Sequence, residues 1–553
     1  MYYNQPPTWS TTINKYFLPL LLLGILVNAT GLFITILDSD GTLYANIAKT
    51  IAVSGDFINL KVSGKDWLDK PHLPFWLAAI SYKIVGFTSF AYKLPAFIFW
   101  LLGLRYTYLF AKENYHITVA QVAALIYVSS THLVISNNDV RAEPYLTGMI
   151  IGSVYHLHKA YTKTNKWINV FWGSLFAALA IMTKGPFVLI TIGGGFVVEW
   201  IWKKDWKQFI SPIWWICLLL TAIFIVPEIY CLYVQFDLHP EKTVFDTTGV
   251  SGIRFFFWDS QFGRFFNNGP IKGEGDYFFF VHTLLWAFLP WCFILYAAFV
   301  YKFKKINNRK QEQVTIWASI ITLLIFSLSK FQLPHYTNIL FPFFAILAAN
   351  YLYNITSKPL QWISYLQNFV AICMIAVVAL LWYFFRPAEV WGIIVWWIVL
   401  LAGIVLIKQL KFYERNFING YWIALCVFAF LNIFFYPALL QYQAGSKAAA
   451  FVNKAFPNKK TYSVNRVSYS FSFYCNAPNF DVAETAIDSL LTREKPLLVY
   501  ADDATLQQLQ QKARKVTIAK QFNYFHVSQL NGTFINHKTR SESLIYFNVA
   551  LVE

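Results

Sequence analysis

Charge is scarce in this chain. Only 13% of its 553 residues are Asp, Glu, Lys or Arg, and only 28 are acidic, whereas soluble proteins carry roughly a quarter charged residues. Set against 57% hydrophobic and 19% aromatic residues, that scarcity excludes a soluble enzyme and an intrinsically disordered protein. Cysteine is sparse too. Cys217, Cys231, Cys292, Cys373 and Cys426 lie within or beside apolar runs, and Cys475 stands alone in a polar tail. No CxxC pair or Cys/His ligand spacing occurs, so a disulfide framework and a zinc knuckle are excluded, leaving cysteine as a small core hydrophobe. A net charge of +17 would suit a nucleic-acid binder. In a chain of apolar runs, cation-rich cytoplasmic loops account for it instead, and no nucleic-acid partner is expected.

What the chain has in abundance is long apolar runs. A bilayer core asks for about 20 apolar residues per helix, and about thirteen runs of that order begin near Tyr16, Ala96, Thr118, Pro144, Trp167, Pro186, Ser211, Tyr277, Val314, Asn338, Gln361, Val390 and Gly420. Only Lys15 precedes the first run and no small-x-small cleavage site ends it, so it reads as a helix, not a signal peptide. With the N-terminus inside, the even-numbered loops are the basic ones: Lys159, Lys163 and Lys166; Lys203, Lys204 and Lys207; Lys302, Lys304, Lys305, Arg309 and Lys310; Lys408, Lys411 and Arg415. Short loops on the other side carry about one cation each (Arg141, Lys184, Lys330, Arg386), the alternation the positive-inside rule asks for. The expected layout is a polytopic α-helical membrane region over 1–441, with long outer loops at 38–94 and 232–276. Within the first loop, Asp40–Ile51 and His72–Val85 read as short interfacial amphipathic helices. Residues 442–553 read as a small extracytoplasmic α/β domain, with strands at Leu497–Tyr500, Val516–Ile518 and Leu544–Val549 and a helix at Asp503–Arg514.

Acidic residues near a bilayer are rarely idle, and here they gather on the outer side. Asp38 and Asp40 follow the first span; Asp38 or Ser39 suits a helix cap, while Asp40, four residues before Tyr44 and on one helical face with it, is the functional candidate. In WLDKPHLPFW, Lys70 precedes Pro71 where the pattern suits a helix N-terminus, a natural phosphate seat, beside Asp69 and the interfacial Trp67. The loop NNDVRAEPYL holds Asp139, Arg141 and Glu143. Lys184 lies in the turn MTKG, Arg254 and Arg264 in the second long loop, and Lys330, His335 and Tyr336 in SKFQLPHY. Carboxylates and cations gathered at one membrane face suit a lipid phosphate carrying a sugar. Phosphate is a good leaving group whose developing charge cations stabilise, and one carboxylate acting as general base activates the acceptor hydroxyl. A glycosidase would need a second carboxyl for a poor leaving group. Direct displacement inverts the anomeric centre.

These motifs, in this order, resemble the GT-C membrane glycosyltransferases, in particular the bacterial lipid A aminoarabinose transferases and the wider protein mannosyltransferase-like group. DGTLYANIAKTIAVSGDF resembles the family's first-loop motif with Asp40 and Tyr44, although the family's Glu is Gly41 and a usual Arg is Leu43. Asp69-Lys70-Pro71 resembles Glu-Lys-Pro, Glu143-Pro144 resembles Asp-Pro, and MTKG with Lys184, Arg264-Phe265 and Lys330…Pro334-His335-Tyr336 each have counterparts. The resemblance implies an inverting transferase moving one sugar from a polyprenyl-phosphate donor to an extracytoplasmic acceptor, lipid A or a related glycolipid, with a protein acceptor as the alternative. It implies catalysis by Asp40, with Glu143 and Asp139 as further acids, and phosphate binding by Lys70, Lys184, Arg264, Lys330 and Tyr336. Substrate contacts are implied for Tyr44, Trp67, Asp69 and His335. Some relatives carry a metal-holding His three residues before the Arg; here it is Gln261, so no cofactor or divalent metal is assigned. The expected setting is the bacterial inner membrane, with site and C-terminus outside. A sugar-lipid transporter or flippase is the rival of another class. Internal repeats and mid-span charges mark that class; no repeat is evident, and Glu228 is the main exception among the charges.

Overall fold

The computed structural model describes residues 9–38, 40–162, 165–307, 311–355, 357–410, 412–512 and 514–553. Ser39, Lys163, Arg309, Lys310 and Lys411, named above, lie outside the described residues. Among the described residues, six helical segments are long and apolar enough to cross a membrane: Thr12–Phe33, Ser89–Asn114, Lys166–Lys184, Gln361–Phe385, Val390–Ile407 and Glu414–Tyr442. Two bent pairs, Ile117–Val128 with Thr131–Asn138 and Pro212–Phe224 with Val226–Asp237, bring the number to eight. The other apolar runs form helices as well, but Val188–Lys203, Val314–Leu328 and Phe341–Asn354 are under 18 residues. The region from Tyr277 breaks into Phe279–Ala287 and Cys292–Lys304 around Pro290. An apolar run is therefore not always one straight span, because proline and polar ends interrupt the ladder. The chain is a polytopic helical membrane protein.

The last spans present a broad apolar face. Trp362, Phe369, Ile372, Trp391, Ile398 and Leu406 are all more than 55% exposed, a surface that water would not tolerate and hydrocarbon would. The first half is packed differently. Ser89–Asn114 crosses Glu143–Thr162 with the backbones touching: a Cβ on Gly148 would lie 2.0 Å from the Phe99 carbonyl oxygen, the small-residue packing by which helices meet in lipid. Buried amides tie neighbours together. Asn138 donates to Asn432 Oδ1 at 2.8 Å, Asn137 to Asn28 Oδ1 at 2.9 Å, and Asn432 to the Val27 carbonyl at 3.1 Å.

The first long loop contains two helices, Asp40–Ser54 and Leu73–Val85, joined by a two-residue-per-strand hairpin at Lys61–Val62 and Lys65–Asp66. They pack on each other and on the C-terminal region. That region folds from helix Ala444–Ala455 into a five-stranded sheet ordered Asn479–Val482, Thr461–Val464, Leu497–Asp502, Ile545–Val552, Val516–Tyr524. The first three strands run parallel and the last two pairings are antiparallel.

The sheet region grips the loop. Lys49 Nζ donates to the carbonyls of Ser472, Phe473 and Cys475 at 3.1, 2.8 and 2.8 Å, a cation capping the C-terminus of helix Tyr469–Tyr474, where the macrodipole favours it. Asn46 donates to the Tyr469 carbonyl, and Gln443 bonds both Ile36 O and Asp38 N at 2.9 Å. Ser470 donates to Asp38 Oδ2 at 2.8 Å and Thr42 to Asp38 Oδ1. Asp38 thus ties the loop to the tail through hydroxyls. The loop helix is set in place largely from a distant part of the chain.

Candidate active site

The helices of the first half end around a cleft of about 620 Å³. Its wall is built from Asp40, Tyr44, Trp67, Asp69, Lys70, Arg141, Glu143, Lys184, Arg264, His335 and Tyr336, with Leu43, Ile271, Phe331 and Leu333 as the main apolar groups. Residues nearly 300 positions apart converge there because helix starts and ends on one face of the bundle all point to it.

Three ion-paired groups divide the charges. In the first, Asp69 accepts from Lys70 Nζ at 2.8 Å and from the Arg264 guanidinium. Burial pushes the Asp69 carboxyl up, but Lys70 and Arg264 outweigh it and hold the carboxyl below its ordinary range. Burial also lowers Lys70, against the pull of Asp69. The turn carrying them is fixed from beneath by buried Glu228, which accepts from His72 N at 3.1 Å and pairs with His72 Nδ1 at 2.9 Å, while His72 Nε2 meets Ile58 O at 2.9 Å. Glu228 is therefore the anchor of this turn and not an isolated charge in mid-span. The helix itself begins at Leu73, with Pro74 in its first turn, three residues beyond Lys70.

In the second group Glu143, almost wholly buried, holds Lys184, and His335 Nε2 lies 3.7 Å from the same carboxylate oxygen. Lys184 also sits over the Tyr336 ring at 4.0 Å, a cation–π contact that strengthens when dry. Burial pushes the His335 ring down to about 3 despite Glu143, so it is neutral at ordinary pH. Burial raises the Tyr336 hydroxyl well above its usual range.

In the third group Arg141 spans two acids, Asp40 Oδ2 at 2.8 Å and Asp139 Oδ2 at 3.1 Å. Of the acids in the wall, Asp40 is the open one, its side chain 43% exposed against 3% for Glu143. Within the wall, two buried donors have no partner among the described residues, Arg264 Nε and Trp67 Nε1. Unsatisfied buried donors are costly and call for explanation. With five guanidinium and three ammonium donors available, Arg264 and Lys70 can take an anionic ligand without releasing Asp69.

Comparison with known proteins fits this arrangement. A family model described as dolichyl-phosphate-mannose-protein mannosyltransferase matches residues 69–231. The undecaprenyl phosphate-alpha-4-amino-4-deoxy-L-arabinose arabinosyl transferase 2 of Proteus mirabilis is 25% identical over 319 residues, 56% of this chain and 53% of the relative. The corresponding Pseudomonas aeruginosa transferase is 21% identical over 301 residues, 54% of this chain and 52% of the relative. The match thus spans about half the length of these curated relatives. In structure, ArnT from Cupriavidus metallidurans bound to undecaprenyl phosphate superposes with a TM-score of 0.75 at 16% identity, covering 98% of both chains.

The chain has the fold of ArnT from Cupriavidus metallidurans.

The sequence match begins at Asp69 and takes in Lys70, Asp139, Glu143, Lys184 and Glu228; the cleft adds Asp40 and Tyr44 from before it and Arg264, His335 and Tyr336 from after it. Eleven wall residues came from motifs or ion-pair candidates in the sequence. Asp139 stands one step back, reaching the cleft through Arg141. Lys330 does not line it: its side chain is exposed, and its backbone N–H donates to the Phe265 carbonyl at 3.1 Å, which ties the second long loop to the bundle. The sequence reading undervalued Arg141, whose bond to Asp139 looks like a local loop pair until folding brings Asp40 to its other side. It also missed Phe331, which lies 5.6 Å from the Arg264 guanidinium and carries no motif signal.

Gly41, which stands where the motif it resembles has Glu, has a tertiary reason. A Cβ there would meet Ile36 Cγ2 at 3.0 Å and Asp139 Oδ1 at 3.4 Å, so a glutamate would be crowded against another carboxylate. At the position of the metal-holding His, Gln261 bonds Ser260 Oγ at 2.7 Å and packs on Gly185. Among the described residues no group of three His, Cys, Asp or Glu is placed to hold a metal ion; the donors around Gln261 do not form a ligand set.

Proposed function

We propose that the chain is an inverting glycosyltransferase that moves one sugar from a polyprenyl-phosphate donor to lipid A or a related glycolipid on the extracytoplasmic side of a bacterial inner membrane. In this reading the cleft faces outward, the shorter helices complete a thirteen-span layout over 1–441, and residues 442–553 form an outer domain. The observation that carries it is the pair of unpartnered donors, Arg264 Nε and Trp67 Nε1, in a wall that also holds Lys70 and the open carboxylate of Asp40. An anionic head with hydroxyls answers both.

The chemistry follows from the positions. The donor phosphate binds between Lys70 and Arg264, with Tyr336 beside it, and Lys184 lends charge from its place against Glu143. The acceptor hydroxyl attacks the anomeric carbon; the bond from that carbon to the phosphate oxygen breaks, and both its electrons leave with the phosphate. Lysine and arginine stabilise that charge as it grows. The hydroxyl proton passes to Asp40, whose Oδ2 is oriented by Arg141 and whose exposure admits the acceptor. Glu143 is too enclosed to meet an acceptor and acts as the positioning partner of Lys184. Tyr44, Trp67, Asp69 and His335 line the sugar's place. Asp139, second acid on Arg141, supplies carboxylate density where Gly41 has none.

The test is transfer by purified protein of a radiolabelled polyprenyl-phosphate sugar to lipid A or to membrane protein. Label on lipid A is the expected result. Label on protein moves the chain to the protein mannosyltransferase-like branch, and donor binding without transfer to any acceptor overturns the assignment.

A further inference from the structure

A second cleft, of about 1190 Å³, opens between the C-terminal sheet and the first outer loop. It has no wall residue in common with the cleft described above. Asp38 lines one and Asp40 the other, and two residues of chain reach at most about 7 Å. The two clefts are neighbours across the start of the loop helix.

The second cleft is lined by aromatic rings. Tyr500 and Phe547, both under 5% exposed, stack with centroids 5.1 Å apart, and Tyr524 meets Phe547 at the same distance. Tyr469 and Tyr524 are half-buried and line the cleft. Asp38 lies among them, its oxygens bonded by Thr42 and Ser470. A carboxylate offers about four lone-pair sites, so capacity remains for a ligand hydroxyl. At the rim, Arg466 is exposed and makes no ion pair among the described residues; its guanidinium lies 5.7 Å from the Phe547 ring. Flat aromatic faces, a hydrogen-bonded acid and a free guanidinium in one concave site are what a sugar bearing an anionic group asks for. Its apolar C–H faces pack on rings, its hydroxyls donate to the carboxylate, and a phosphate takes the planar fork of arginine.

We propose that this cleft between the C-terminal sheet and the first outer loop binds the phosphorylated carbohydrate head of the acceptor, with sugar rings on Tyr469 and Tyr524 and the phosphate on Arg466. The proposal rests on the transferase reading and adds to it the acceptor's seat. Held there, the acceptor extends past Asp38 toward Asp40, and the grip of the sheet on the loop helix keeps the two clefts in register. The donor phosphate has its own cations, Lys70 and Arg264, on the other side of that segment.

The test uses the full chain in nanodiscs and a water-soluble phosphorylated glucosamine disaccharide, with its unphosphorylated counterpart as comparator and binding read by calorimetry. Arg466→Met, an exposed position where substitution leaves the fold intact, should raise the Kd of the phosphorylated disaccharide about tenfold or more and leave the unphosphorylated one unchanged, as expected for a lost charge-assisted bond. Tyr524→Ala should weaken both about tenfold. Lys330→Ala, whose side chain lines neither cleft, should bind both as the parent chain does. Unchanged Kd in both cleft variants, or an equal loss of disaccharide binding in Lys330→Ala, overturns the proposal. Polyprenyl-phosphate binding measured on the same samples separates the two failures. If the parent chain does not bind that lipid, the transferase reading falls; if it does, and the cleft variants still bind the disaccharide normally, this inference alone falls.

Discussion

At the end of the bundle opposite the cleft of Asp40 and Arg264, buried acids also meet cations and hydroxyls. Glu312 accepts from Tyr115, from Thr315 N at 3.1 Å and from Thr315 Oγ1 at 2.7 Å; Glu199 accepts from Gln313 N at 2.6 Å and from Lys203. Lys302 donates to the Glu312 carbonyl at 3.0 Å. No cationic N–H of that cluster is left buried without a partner among the described residues. The cleft end uses the same residue types, yet Arg264 keeps an unpaired N–H and Asp40 an open carboxylate. Buried charge alone therefore does not mark a site. The closed cluster joins helices, whereas the cleft holds binding capacity that its own residues do not use.

That contrast can be broken by substitution. Asp40→Asn should lower turnover most, about a thousandfold, within the usual range for loss of a general base, while leaving the Kd for the lipid donor nearly unchanged; an active Asn variant would remove Asp40 from catalysis. Arg264→Met comes next and should weaken donor binding by about 10- to 100-fold, the scale of lost hydrogen bonds to charge, as read by titration with polyprenyl phosphate. Glu143→Gln and Glu312→Gln form a matched pair. The first should cut turnover about tenfold by freeing Lys184, while the second should lower the temperature of thermal inactivation and leave the turnover of folded protein within about twofold. Equal effects on turnover would erase the distinction between the two ends. Lys49→Met, at the junction of sheet and loop, should reduce kcat about threefold with donor Kd unchanged, the mark of a positioning residue. Smallest of all, Lys330→Ala should change both constants less than about twofold, since its side chain lies outside the cleft wall.

Much of this was legible in order along the chain. Period and length of the apolar runs gave the helices, and the two loop helices appear at Asp40–Ser54 and Leu73–Val85, close to where their amphipathic patterns put them. In the tail, the strands Leu497–Asp502, Val516–Tyr524 and Ile545–Val552 and the helix Asp503–Gln511 overlap the segments read from alternation. The reading was weaker on extents. Several apolar runs became short or broken helices because prolines such as Pro290 interrupt them, and a hydropathy window does not weigh a kink. The site was legible wherever a charged residue sat beside a proline or glycine in an otherwise apolar stretch, as at Lys70, Glu143 and Lys184. It was not legible at Phe331, at Arg141's second partner, or at the cleft beside Asp38, whose aromatic walls belong to the least distinctive part of the sequence.

By itself the sequence determined that the chain is a membrane protein, that its informative charges gather at one end of the helices, and which residue types are available for phosphate and proton chemistry. Burial cost explains why: charge is so expensive in lipid that each retained residue stands out against the apolar background. Tertiary structure alone decided how those charges pair. Through-space contact made Asp69 the bridge between Lys70 and Arg264, enclosed Glu143 while leaving Asp40 open, and set the C-terminal sheet against the first loop. Pairing and exposure depend on distances of a few ångströms between segments hundreds of residues apart, and these are fixed by packing and not by local pattern.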